Sequence, residues 1–228
     1  MDATFFLKQR TAFIRIFYDT GVAGFEDTKQ RIEAGEPPYD NPPYSEDGEP
    51  PYVTEWIDAD TGRDVLSQAC VALLSDSLKL YLNTLRLRTL RFEFEPPEKA
   101  LLKKGFVAAY RSALGDVFDT DWSDCPVRFE VIEQIVLARN QAQHSGDITS
   151  FRLTHGPSTL RELRQPIFVD PADWQAWIDA GGDERSFLAP SVKVSRDALF
   201  EAIAEVDRLG DWVEARIEHD WRRRGTAI

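Results

Sequence analysis

The sequence is short of the residues on which much enzyme chemistry depends. Its 228 residues include two cysteines, Cys70 and Cys125, and three histidines, His144, His155 and His219. Two widely separated thiols cannot build a disulfide framework and form no zinc pattern, so both are expected as core thiols in a reducing compartment. The dispersed histidines make no HExxH or His-x-Asp group. Carboxylate pairs such as Asp58/Asp60 and Asp119/Asp121 suit acidic loops as well as magnesium sites. No metal and no cofactor is expected. Neither the GxxxxGK phosphate loop nor GxGxxG occurs, which argues against nucleotide-driven activity. No run of eighteen apolar residues exists, and the opening MDATFFLKQR carries charges where a signal peptide would be apolar. A soluble, cytoplasmic protein with no membrane segment is expected.

Positive charge is also scarce. Lys and Arg number 27 against 39 Asp and Glu, a net of −12, a poor match to a protein that grips long nucleic acid with its whole surface. Contact with nucleic acid must be local. The candidate basic patches are Arg86, Arg88 and Arg91 in LRLRTLRF, then Lys103-Lys104, Arg161 with Arg164, and Arg222-Arg223-Arg224. A solvated helix face is the plainer reading of each.

What is present is a core. Hydrophobic residues make up 43% of the chain, enough for one body spanning residues 1–228. Residues 1–60 read as an N-terminal helix plus a Pro/Tyr-rich loop, and 61–228 as a core bundle with an insertion near 148–190. Over residues 3–34, Phe6, Phe13 and Phe17 share one side of a helix with Leu7 and Ile14. GEPPYDNPPYSEDGEPPY then places six prolines and three Pro-Pro-Tyr repeats, which removes amide donors and predicts extended loop. It is either a partner-docking segment or a loop packed by its own tyrosines.

From Thr61 to Arg91, Leu66, Leu73, Leu80 and Leu87 recur every seven residues. Val71, Leu74, Leu78, Tyr81 and Leu85 widen the apolar surface, so a central bundle helix is expected rather than a narrow zipper seam. Pro96-Pro97 ends it. A third helix is predicted over Glu98 to Phe118, and a fourth follows Pro126 with Phe129, Ile132 and Val136 inward. ITSFRLTH and RQPIFVD predict two small strands or an irregular arm. Asp170-Pro171 opens a short helix burying Trp174, Trp177 and Ile178, and Gly181-Gly182 closes it. The last helix opens at Ser195 and runs through Leu199, Ile203, Val206, Val213 and Ile217. The expected class is an all-α helical bundle with a proline-rich loop and a small irregular or β-hairpin insertion.

One stretch can carry chemistry. Steps of four along the fourth helix run Ile132, Val136, Asn140, His144, so the inward stripe is expected to turn polar in its last turn, with Arg139 beside it. An imidazole exchanges protons near neutrality, and an arginine fork matches two phosphate oxygens. Arg139-Asn140-Gln141-Ala142-Gln143-His144 resembles the Arg-x4-6-His motif of the HEPN superfamily (higher eukaryote and prokaryote nucleotide-binding domains), in which a polar residue commonly follows the arginine. The helical bundle, the motif late in a core helix and the amphipathic last helix agree with it.

The resemblance implies a metal-independent endoribonuclease, a toxin or antiviral-defence effector cutting RNA such as tRNA, with a composite site shared by a homodimer. By that likeness His144 would move the proton of the 2′-OH or of the leaving 5′-oxygen. Arg139 would hold the scissile phosphate, and Asn140 would orient the histidine or a phosphate oxygen. Arg86, Arg88 and Arg91 are further candidates for contact with the RNA substrate. An antitoxin or regulatory protein is implied as a second partner, although Gly146 stands where one branch of the family has a modifiable Tyr. Two alternatives stand beside this reading. In one, the fold binds nucleotides or proteins without cleavage; in the other, Arg139 pairs with an acid and His144 merely ends the helix.

Overall fold

The computed structural model describes residues 2–44, 48–103, 105–143, 163, 166–182 and 190–225. Seven α-helices are found among them: α1 (Ala3–Ala34), α2 (Val53–Thr84), α3 (Pro96–Leu101), α4 (Phe106–Phe118), α5 (Phe129–Gln143), α6 (Pro171–Asp179) and α7 (Arg196–Gly225). The chain is all-α over these residues. An isolated antiparallel bridge, Val169 to Val192, stands where a strand was expected, and the other expected strand, 148–155, lies outside the described residues.

Local chemistry sets the ends of α1. Asp2 accepts a hydrogen bond from the Phe5 amide at 2.8 Å, and Gly35 closes the helix at φ 63°, a conformation that costs glycine little. The proline-rich loop then leads into α2 at Tyr52, whose ring meets Tyr39 edge-on at 5.0 Å and whose hydroxyl donates to the Asn41 carbonyl. Two of the three Pro-Pro-Tyr tyrosines thus pack within the loop, while Tyr44 is exposed. The second helix starts eight residues before the expected Thr61 and ends in a π-helical turn, Leu85–Thr89. Pro96-Pro97 do not end it; they occupy the first positions of α3, where missing amide donors cost nothing. The single helix predicted over 98–118 is broken at Gly105, whose φ of 156° suits glycine alone.

The core lies where α2 packs against α1, α5 and α7. Leu7, Ile14 and Tyr18 meet Cys70, Leu74, Leu78, Ile132, Ile135, Leu199, Ile203 and Val206 there. Thr4 and Tyr81 share a hydroxyl contact at 3.3 Å, and both reach the Gly210 carbonyl, fastening α1, α2 and α7 together. The last helix runs as expected, with Leu199, Ile203, Val206, Val213 and Ile217 all buried. Asp170 caps α6 through Ala172 and Asp173. Trp177 is buried, but Ile178 faces out.

Two expectations about facing are corrected. Leu7 and Ile14 are inside, whereas Phe6, Phe13 and Phe17 point outward, because Thr4, Leu7, Thr11, Ile14 and Tyr18 already fill the inner stripe. On α2 the core is made by the residues that widened the pattern, and Leu73, Leu80 and Leu87 are exposed. By length and composition, Val53–Thr89 would also span a membrane; half of its apolar window is buried in the bundle.

Candidate functional site

The start of α5 is fixed by an ion cluster. Glu205 of α7 is fully buried and accepts from the Arg128 amide at 3.1 Å and from Arg128 Nε at 2.6 Å, with Arg208 and Arg128 forming salt bridges to it. Burial alone would push its carboxyl up, but the hydrogen bonds from Arg208 and Arg128 outweigh that and hold it below the usual carboxylate range. With this end pinned, Val131, Ile132, Ile135 and Ala138 turn inward. The same rotation places Arg139 and Asn140 at the edge between α5 and α2.

Asn140 is exposed, so the buried stripe does not continue through it. The 3.6-residue period drifts away from strict steps of four, and the stripe runs through Ile135 to Ala138 instead. Arg139 is half-buried. Its Nη1 donates to Asn140 Oδ1 at 3.3 Å, its Nη2 lies 3.5 Å from Asp76 Oδ1 on α2, and its Nε is buried without a hydrogen bond among the described residues. His144, His155, Lys104, Arg161 and Arg164 lie outside the described residues.

Arg139 and Asn140 open into a groove of about 310 Å³ between α2, α5 and the start of α4. Ser75, Asp76, Lys79, Leu102, Lys103, Gly105, Phe106 and Val136 line the rest of it. Lys79 lies 6.0 Å from the Phe106 ring centroid, and Gly105 gives α4 no side-chain cap, so the positive end of that helix adds to the cations.

The sign of the groove differs from that of the two larger hollows. It is lined by Lys79, Lys103 and Arg139 against the single carboxylate of Asp76. A larger hollow beside α4 carries Asp116, Asp119, Asp121, Asp124 and Glu133 against Arg111 and Arg216. A second, by the start of α7, sets Arg63, Lys193 and Arg196 against six carboxylates, including Asp19 and Glu26.

The three arginines proposed as substrate contacts do not line this groove. Arg86 hydrogen-bonds Glu93 and Asn83 and sits over Phe94, while Arg88 and Arg91 are exposed around the π-turn. Asp76, Lys79 and Phe106 share a groove with Arg139 only because α2, α5 and the start of α4 pack together, and in the sequence only the Lys103-Lys104 pair points to it. Among the described residues no group of three His, Cys, Asp or Glu is placed to hold a metal. The chain matches no family model, no curated protein and no solved structure.

Proposed function

We propose that this chain is an RNA-binding protein of HEPN type and a metal-independent endoribonuclease, acting as a toxin or defence effector in the cytoplasm. The observation that carries the reading is the cationic groove at Arg139 and Asn140 in a protein of net charge −12. Lys79, Lys103 and Arg139 suit the phosphates of a single strand, and Phe106 offers a face for a base. The Asp76 partner of Arg139 is half-exposed at 3.5 Å, a pair weak enough for a phosphate to displace.

In this reading Arg139 grips the scissile phosphate and stabilises the charge that grows on it as the ribose 2′-OH attacks. His144 takes the 2′-OH proton or returns one to the leaving 5′-oxygen, and Asn140 orients the guanidinium it already touches. Products end in 2′,3′-cyclic phosphate and 5′-hydroxyl, and DNA, lacking the 2′-OH, is not cut. The second reading is a HEPN-fold binding module without cleavage, which needs only the cations of the groove, whereas the pair between Arg139 and Asp76 fits a structural role for that arginine. Titration with a fluorescent single-stranded oligoribonucleotide tests the groove under both readings: Arg139→Ala and Lys79→Glu each weaken binding, and unchanged affinity in both sinks the assignment. An EDTA-resistant cleavage assay then separates enzyme from binder.

A further inference from the structure

We infer that the outer face of α1, together with the end of α2 beside it, docks on the anionic surface of a lipid bilayer. On a helix of 3.6 residues per turn, Phe5, Phe6, Phe13, Ile16 and Phe17 share the side turned away from the core. Phe5, Phe6, Phe13 and Ile16 are each more than half exposed. Gln9 and Ala12 fall among them and are exposed too, so no charge interrupts the face. Leu80 continues it onto α2, through a shallow groove of about 250 Å³ lined by Ala3, Phe6, Arg10, Ser77, Leu80 and Thr84. The end of α2 therefore lies beside the start of α1.

Charge identifies the occupant. The segments that build the face, Ala3 to Tyr18 and Val65 to Arg91, hold seven Lys or Arg against one carboxylate, Asp76, in a chain of net −12. Asp76 is turned away to Arg139 of α5. Lys8 and Arg15 are engaged at α7, by Asp211 and the Phe200 carbonyl. The other cations of the margin are free: Arg10, Arg88 and Arg91 are exposed and have no partner among the described residues. Arg10 borders the groove, and Arg88 and Arg91 follow the exposed Leu87 at the end of α2.

Phenylalanine and isoleucine on one side of a helix, with arginines at its edge, suit the boundary between headgroups and acyl chains. The rings sink, while the arginine stems lie along the apolar surface and carry their heads to the lipid phosphates. A folded protein would have to match a row of protruding rings, whereas lipid moulds to them. No spanning segment is needed, since Cys70, Leu74, Leu78 and Tyr81 of α2 stay in the core. The acidic hollow beside α4 shares no residue with either segment, so repulsion from the headgroups helps to orient the molecule. None of this rests on the groove at Arg139 being an RNA site.

The test is flotation of the full chain with vesicles of phosphatidylcholine alone and of phosphatidylcholine mixed with phosphatidylserine. The expected result is binding to the mixture that falls with added salt, and weak binding to phosphatidylcholine alone. Phe13→Glu should lower the partition coefficient at least about tenfold, and Arg88→Gln and Arg91→Gln each about fivefold, with circular dichroism unchanged. A polarity-sensitive dye on Gln9→Cys in a Cys125→Ser background should shift to the blue with the mixed vesicles, and the same dye on Asp121→Cys should not. A parent protein that stays off the mixed vesicles overturns the inference, as does binding indifferent to all three variants. A lipid-free dimer that Phe13→Glu dissociates, or oligoribonucleotide binding that it abolishes, gives the face to another occupant and overturns it too. Oligoribonucleotide affinity of Arg139→Ala reports on the groove separately.

Discussion

Arg139 of α5 reaches Asp76 of α2 at 3.5 Å, on the rim of a groove in which three cations face a single carboxylate. Asp76 therefore both holds the arginine in place and competes with any phosphate for it. Replacing the carboxylate by an isosteric amide, Asp76→Asn, removes the competition and keeps the shape. The expected outcome is oligoribonucleotide affinity raised about three- to tenfold, consistent with an exposed pair worth about 1 kcal/mol. Weaker binding in the variant would mean that Asp76 positions Arg139 more than it blocks it.

The groove lysines should be visible in salt dependence. Each phosphate contact to a single strand contributes about 0.7 to the slope of log affinity against log salt. Lys79→Ala and Lys103→Ala are each expected to lower that slope by about this amount. Arg88→Ala and Arg91→Ala, whose side chains are absent from the groove lining, should leave it unchanged.

Phe106 should act through stacking rather than charge. Phe106→Ala is expected to weaken oligoribonucleotide binding by about 1–3 kcal/mol with the salt slope intact. A change of slope with equal affinity at low salt would assign the ring a structural role beside Lys79.

Glu205 carries a stability prediction. Glu205→Ala leaves the Arg128 amide without its acceptor, while Arg128 and Arg208, each about half exposed, stay solvated, so the variant should cost about 1–3 kcal/mol in denaturant melts. The pH dependence has a defined direction. Because the folded carboxyl titrates below its ordinary value of 4.5, its contribution is full above that value and is lost as pH falls through the depressed one. The deficit of the Glu205→Ala variant relative to the parent should therefore narrow in acid.

The two thiols should differ in reactivity. Burial pushes the Cys70 thiol up to about 11 and also raises that of Cys125, which is only half-buried. A thiol reagent at pH 8 is expected to label Cys125 first and Cys70 only on unfolding. Rapid labelling of both would contradict the packing of Cys70 between the helices.

Much of the fold was legible because helical periodicity is a strong local signal. The span of α1, the cap at Asp170 and the buried row of α7 from Leu199 to Ile217 follow from it. Which apolar side faces inward did not follow. Both α1 and α2 carry more apolar surface than one core absorbs, and only packing decides that Leu7 and Leu74 go in while Phe6 and Leu73 stay out. The break at Gly105 was equally hidden, since the apolar spacing continues across it. At the site, Arg139 and Asn140 could be named from their order in the chain. Lys79 and Phe106 could not, because they come to the same groove as Arg139 only through the packing of helices distant in sequence.

The most direct measurement is incubation of single-stranded RNA and transfer RNA with the purified protein in EDTA, with product ends identified. The account predicts cleavage to 2′,3′-cyclic phosphate and 5′-hydroxyl termini, lowered at least about a hundredfold by His144→Ala with an unchanged melting temperature. Cleavage by the His144→Ala variant at the parent rate, or intact RNA with the parent protein, would contradict it.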